Sequence, residues 1–134
     1  MTTAADPPTR TTVLLVEDHA DTRFMFAEFL RADFTVFEAG DGVGALEVMA
    51  QTRPDVVVTD LALPRMDGFE LLARIRADSR FRDVPVIALS GFTGTAHESR
   101  ALAAGATRVI EKPCLPDALA EAVGLAARSR QEGR

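Results

Sequence analysis

Short β-branched runs alternate with longer stretches of helical spacing five times along this chain. That alternation restricts it to βαβ units and a parallel sheet, the α/β class. The runs also end in a particular way. VLLVED stops at Glu17 and Asp18, VVVTD at Asp60, VIALS at Ser90 and VIEK at Lys112. In an open parallel sheet the carboxyl ends of the strands lie side by side, so residues remote in sequence share one pocket. This pocket is acidic, with one cation and one hydroxyl. Clustered carboxylates repel one another and cost stability without a counter-ion, so the set suits a divalent metal and a phosphoryl group better than any need of the fold.

The strands are expected at 12–16, 34–38, 56–59, 86–89 and 108–111, and the helices at about 20–31, 43–51, 68–77, 95–104 and 116–127. The first and third strands are apolar at successive positions, which implies burial on both faces. Thr35 and Glu38 around Val36 and Phe37 suggest an edge strand. In the first helix Met25, Phe26, Phe29 and Leu30 make an apolar stripe, with Phe24 off it. Gly40, Gly42 and Gly105 stand at helix boundaries, where tolerance of positive φ is useful.

A chain of 134 residues accommodates one domain, read here as 11–128, with 1–10 and the polar 129–134 expected to fray. The net charge of -5 and scattered arginines argue against a nucleic-acid partner. Cys114 is the single cysteine, so no intramolecular disulfide forms. No apolar run has the length of a signal peptide core or a membrane span, which makes a cytoplasmic location, without membrane insertion, the default. His19 and His97 have no cysteine or histidine neighbour at ligand spacing and read as surface residues, not a zinc site.

Asp60 ends the most apolar strand and is the best candidate to take a phosphoryl group on its side chain. Glu17 and Asp18 offer oxygen ligands of the kind Mg²⁺ prefers. The Ser90 hydroxyl and the Lys112 ammonium are placed to meet phosphoryl oxygens, and Lys112 precedes Pro113, a setting that favours a cis peptide. Asp67 before Gly68 reads as a turn and helix start without chemistry, and Cys114 as a small apolar filler near the pocket.

These residues resemble the receiver domain of two-component response regulators. D-L-A-L-P-R-M-D-G from Asp60 to Gly68 is similar to the phosphoacceptor loop of that family, E-D at Glu17 and Asp18 to its acidic pair, and S-G at Ser90 and K-P at Lys112 complete the set in order. The resemblance implies a flavodoxin-like (βα)5 doubly wound sheet of order 2-1-3-4-5, which also suits the edge reading above. It implies Asp60 as phosphoacceptor, Ser90 and Lys112 as contacts to the phosphoryl group, and Mg²⁺ held by Glu17, Asp18, Asp60 and the backbone carbonyl of Ala62. It further implies a donor that is a histidine kinase or histidine phosphotransfer protein, placed against Asp21, Thr22 and Met25 and the loop from Pro113 to Leu115. Exposed Phe24 would extend that patch. Little of the chain follows the fifth helix, so output is expected by docking to an unknown downstream protein target, with a phosphorylation-dependent homodimer among the modes. Such a protein is not an enzyme beyond its own phosphorylation and dephosphorylation.

Two departures stand out. Val109 occupies the place three residues before the lysine where the family usually carries an aromatic, so the signal is expected to pass through Ser90, its loop and the fourth helix. Glu17 is one methylene longer than the usual aspartate. Phe92 and Ala62, each two residues after a pocket residue, are expected to hinder water and prolong the acyl phosphate. The alternative function is a receiver-like scaffold that works without phosphate, favoured by Val109 alone. An aspartate-dependent phosphohydrolase would want a second acid at Ala62, and a flavin carrier would want Trp or Tyr, of which there is none.

Overall fold

The computed structural model describes residues 10–91 and 95–132. Strand β1 (Thr12–Val16) leads to helix α1 (Ala20–Leu30), β2 (Thr35–Ala39) to α2 (Gly42–Thr52), and β3 (Val56–Asp60) to α3 (Gly68–Ala77). Then β4 (Val86–Ser90) precedes α4 (Thr95–Ala104), and β5 (Arg108–Glu111) precedes α5 (Pro116–Glu132). All pairings are parallel, in the order β2-β1-β3-β4-β5. This is the flavodoxin-like topology expected, with β2 at an edge.

Side chains alternate across a strand, so each strand feeds two cores. Leu14 and Val16 join Ala45 and Met49 of α2 and Leu71, Leu72 and Ile75 of α3 on one face. Val13 and Leu15 join Phe26 and Leu30 of α1 and Leu119 and Val123 of α5 on the other. Every residue of β3 and β4 is buried. Each fully buried Leu, Ile or Val stabilises the fold by about 1.5–3 kcal/mol, so the middle of the sheet is its firmest part. Register then sets the functional ends: Thr59 lies level with Val16, Asp60 with Leu89, and Ser90 with Glu111.

Local differences from the sequence reading have local causes. β2 starts at Thr35 because the Phe34 N–H is taken by the Leu30 carbonyl at 2.9 Å, closing the end of α1. α1 buries Phe26, Ala27 and Leu30, whereas Met25 and Phe29 of the expected stripe are exposed along with Phe24. Met25 and Phe29 each precede Phe26 and Leu30 by one residue, about 100° around the helix, so seating the Phe26, Ala27 and Leu30 face on the sheet leaves them outside. Asp67 caps α3 by accepting from the Glu70 N–H at 2.9 Å, as a turn residue should.

α5 continues to Glu132, through part of the segment expected to fray. Arg130 Nη1 donates to the Asp55 carbonyl at 3.1 Å and so ties the last turns to the start of β3. Of the three boundary glycines, only Gly105 has positive φ, at 119°. Its carbonyl accepts from Arg76 Nε at 2.9 Å, and Arg76 Nη1 donates to the Val84 carbonyl at 2.6 Å and to that of Arg82 at 3.0 Å. One guanidinium therefore gathers the end of α3, the loop before β4 and the end of α4. Among the described residues no helix is long and apolar enough to cross a membrane.

Gly68 lets α3 start against the loop that follows Asp60. A methyl group there would lie 2.5 Å from Leu61 Cα and 2.6 Å from the Asp60 carbonyl oxygen, both backbone atoms that cannot swing aside. Gly68→Ala is therefore expected to lower unfolding free energy by about 2–3 kcal/mol. Gly91→Ala, with no atom of the described residues beyond its chain neighbours within 4 Å of the added methyl, is expected to be near neutral. Urea midpoints of the two variants check the pair.

Candidate functional site

Because β3 is the central strand, it presents Asp60 in the middle of the carboxyl edge, where the residue is 3% exposed. Its Oδ1 accepts from the Ala62 N–H at 2.9 Å, and its Oδ2 accepts from Lys112 Nζ. β1 brings in Glu17, with a side chain only 2% exposed, followed by Asp18 at 27%. Glu17 Oε1 lies 3.5 Å from Lys112 Nζ, so the lysine faces both acids. The Lys112 N–H donates to the Ser90 carbonyl at 2.7 Å, which fixes the lysine backbone beside the end of β4. The Lys112–Pro113 peptide is cis, as the sequence suggested.

The structure thus brings Glu17, Asp60 and Lys112 into direct contact. Ser90 is buried at the end of the neighbouring strand. Asp18 lies with Glu17 and His19, whose ligand atoms are all within 4.8 Å of one another. Ala62 is exposed and meets Asp60 through its N–H. Phe92 lies outside the described residues. Val109 is partly buried against the α2, α3 and α4 core. Cys114 is partly buried, and desolvation pushes its thiol pKa up, in keeping with an inert filler.

Two residues of the site escaped the sequence reading. Arg23 Nη1 donates to the Glu17 carbonyl at 2.7 Å while its Nε donates to Glu38 Oε1 at 3.2 Å, tying the β1–α1 loop to β2. The signal for it was an arginine one turn into the helix after the acidic pair. His19, read as an ordinary surface residue, has a side chain 75% exposed but turns Nδ1 toward both acids, 3.2 Å from Glu17 Oε2 and 3.3 Å from Asp18 Oδ1.

The residues fit the Mg²⁺ that the family resemblance implies. Among the described residues Glu17 Oε1 and Asp18 Oδ1 are buried atoms with no hydrogen bond at ordinary length, facing Lys112 at 3.5 Å and the His19 ring at 3.3 Å, and such acceptors are costly unless a closer cation compensates them. The acids supply hard oxygen donors of the kind Mg²⁺ takes.

Burial lowers the Lys112 pKa, but the hydrogen bond it donates to Asp60, the charges of Asp60 and Glu17 and the contact with Glu17 outweigh it, so the net shift is upward from the usual 10.5. A group whose folded pKa is raised contributes stability that is complete below its unfolded value and lost as pH rises through the folded one. Wild type is therefore expected to melt above Lys112→Met at about pH 8, the gap closing once pH passes about 10.5. Thermal melts of both proteins across that range test this, and a gap independent of pH contradicts it.

Comparison with known proteins agrees with this geometry. The response regulator receiver domain family matches residues 13–124. The solved structure of the chemotaxis response regulator CheY4 of Vibrio cholerae superposes with a TM-score of 0.83 at 31% identity, covering 88% of this chain and 99% of that one. The transcriptional regulatory protein PdtaR of Mycobacterium tuberculosis is 36% identical over 127 residues, covering 93% of this chain and 60% of PdtaR. Histidine kinase P4 of Formosa agariphila is 32% identical over 104 residues, 78% of this chain but 8% of the kinase. The chain thus spans less than two thirds of these curated relatives. By its family match and its fold, it belongs to the response regulator receiver domains of two-component systems.

Proposed function

We propose that the protein is a phosphoacceptor switch in which Asp60 takes a phosphoryl group from the phosphohistidine of a histidine kinase or histidine phosphotransfer protein. The observation that carries this reading is the meeting of Asp60, Glu17 and Lys112, an arrangement that a loop carboxylate or a solvated strand end does not require. In the transfer the P–N bond breaks, its electron pair returns to the donor imidazole, and a bond forms from an Asp60 side-chain oxygen to phosphorus. Lys112, already bonded to Asp60 Oδ2, neutralises an arriving phosphoryl oxygen, and the Ser90 hydroxyl donates to another.

Glu17, Asp18, Asp60 and the Ala62 carbonyl would hold Mg²⁺. When bound, it supplies positive charge against the phosphoryl oxygens. The donor docks where α1 and the β5–α5 loop leave a groove of about 440 Å³ beside Lys112, lined by Thr22, Met25, Phe26, Pro113 and Cys114. Exposed Phe24 and Leu115 enlarge its apolar rim. With Val109 at the aromatic position, the phosphorylated state is read out through Ser90 and α4 by a downstream protein. The domain is expected at 11–128 and to act in the cytoplasm.

Intact mass after incubation with acetyl phosphate and Mg²⁺ is expected to show one added phosphoryl group on wild type and none on Asp60→Asn. An unmodified wild type would favour the phosphate-independent scaffold. Ala62→Asn, which places an amide beside the acyl phosphate, is expected to speed its loss several-fold, and an unchanged lifetime would remove Ala62 as a barrier to water.

Mg²⁺ at tenfold its dissociation constant should stabilise wild type by about 1.4 kcal/mol, a rise in melting temperature of roughly 4 °C. Asp18→Asn is expected to lose most of that rise. An equal response in both proteins would exclude Asp18 as a ligand.

A further inference from the structure

We propose that the contact between Arg100 and Phe69 is a clasp that holds helix α4 in its resting place and opposes the phosphorylated arrangement, so that its strength sets how readily the switch turns on. The clasp builds on Asp60 as phosphoacceptor and restrains the response to it.

Little else holds α4. Of its 10 residues Ala101 alone is buried, whereas α3 buries Gly68, Leu71, Leu72 and Ile75 over the same length. Its tail is tied by Arg76 Nε, which donates to the Gly105 carbonyl at 2.9 Å. A helix with so little apolar burial is the element that moves at least cost.

Against that background the contact is strong. The Arg100 guanidinium carbon lies 3.8 Å from the centre of the Phe69 ring, well inside the range of about 6 Å over which a cation is drawn to an aromatic face. Arg100 is exposed and Phe69 half-buried, so the pair closes the rim of the seam between α3 and α4, where the core supplies little. Among the described residues a second pair of this kind, Arg80 over Phe81 at 4.9 Å, joins neighbours in sequence and links no two elements. Valine at 109 has no aromatic face, and Phe69, packed on the same core cluster, supplies one to α4.

The two halves of the clasp differ in freedom. Phe69 follows Gly68, whose N–H donates to the Leu61 carbonyl at 2.9 Å, so the ring is fixed to the strand end that carries Asp60. Arg100 rides on the loosely seated helix that follows β4 and its last residue, Ser90. A phosphoryl oxygen that engages the Ser90 hydroxyl draws the connection from β4 toward Asp60 and pulls α4 against the clasp. A contact that opposes the activated arrangement weakens binding of the activating group by its own strength, so its loss tightens that binding by the same factor.

Titration of the full chain with beryllofluoride, which stands in for a phosphoryl group on a carboxylate, tests this at saturating Mg²⁺ by amide NMR. Arg100→Gln and Phe69→Leu are each expected to bind about two- to fivefold more tightly than wild type. The double variant should bind no more tightly than either single one, because both remove one contact. Arg100→Lys and Phe69→Tyr, which keep a cation and a ring, should stay near wild type. Shifts induced by beryllofluoride should stop short of residue 100 in wild type and spread past it in Arg100→Gln. A contact that only supports the fold would leave affinity unchanged or lower it when lost, so either result in Arg100→Gln overturns the clasp, as does a double variant in which the two gains multiply. Thermal melts check folding, and the exposed Arg100 decides the matter if Phe69→Leu does not fold. Wild type that binds beryllofluoride with the same affinity as Arg100→Gln removes the clasp alone, and wild type that binds none removes the phosphoacceptor reading with it.

Discussion

The Lys112 ammonium bonds Asp60 Oδ2 and sits 3.5 Å from Glu17 Oε1, leaving three carboxylates of the pocket around one cation. Two unit charges 4 Å apart interact by about 4 kcal/mol at the effective dielectric of a protein surface, so the imbalance weighs heavily against a net stability of about 5–15 kcal/mol. The chain compensates with its sheet. β1, β3 and β4, the three strands that carry the acids and the serine, are the most deeply buried and are clamped between two apolar cores. The site is held together by packing at its back, since its own charges push it apart.

Under the proposed function that arrangement makes the pocket receptive. The Lys112–Asp60 contact joins the two groups that a phosphoryl oxygen would also engage. An incoming anion therefore competes for a bond that already exists, and the lysine need not travel. Arg23 has a different part. It grips the Glu17 carbonyl and Glu38 together, setting the β1–α1 loop that carries the acids from outside the pocket.

Much of this was legible in the residues. Alternating apolar runs identified the parallel sheet, and successive burial in β1 and β3 against the mixed polarity of 35–38 separated centre from edge, because two-sided burial leaves no room for polar side chains. β1 and β5 begin and end where periodicity placed them, as do α3 and α4. What escaped depended on contacts between distant segments. The extra turns of α5 are tied by Arg130 to Asp55, and which edge of the α1 stripe meets the sheet is set by the packing of Phe26, Ala27 and Leu30 on it. Within the site, residue types and strand ends pointed to Glu17, Asp18, Asp60, Ser90 and Lys112. His19 and Arg23 were not legible, since each acts by where its ring or guanidinium is aimed, which spacing does not encode.

Arg76 gives the opposite end of the molecule a mechanical character. By holding the carbonyls of Gly105, Arg82 and Val84 it nails the tail of α4 to the floor of the sheet. Farther along the same helix the Arg100 guanidinium rests 3.8 Å from the centre of the Phe69 ring. Under the proposed readout, a disturbance arriving from the Ser90 side meets a helix pinned at its tail and again at Arg100 and Ala101, so movement is confined to its first turns. Displacement then grows toward Thr95, and a reader of the switch gains the most from gripping the head of that lever.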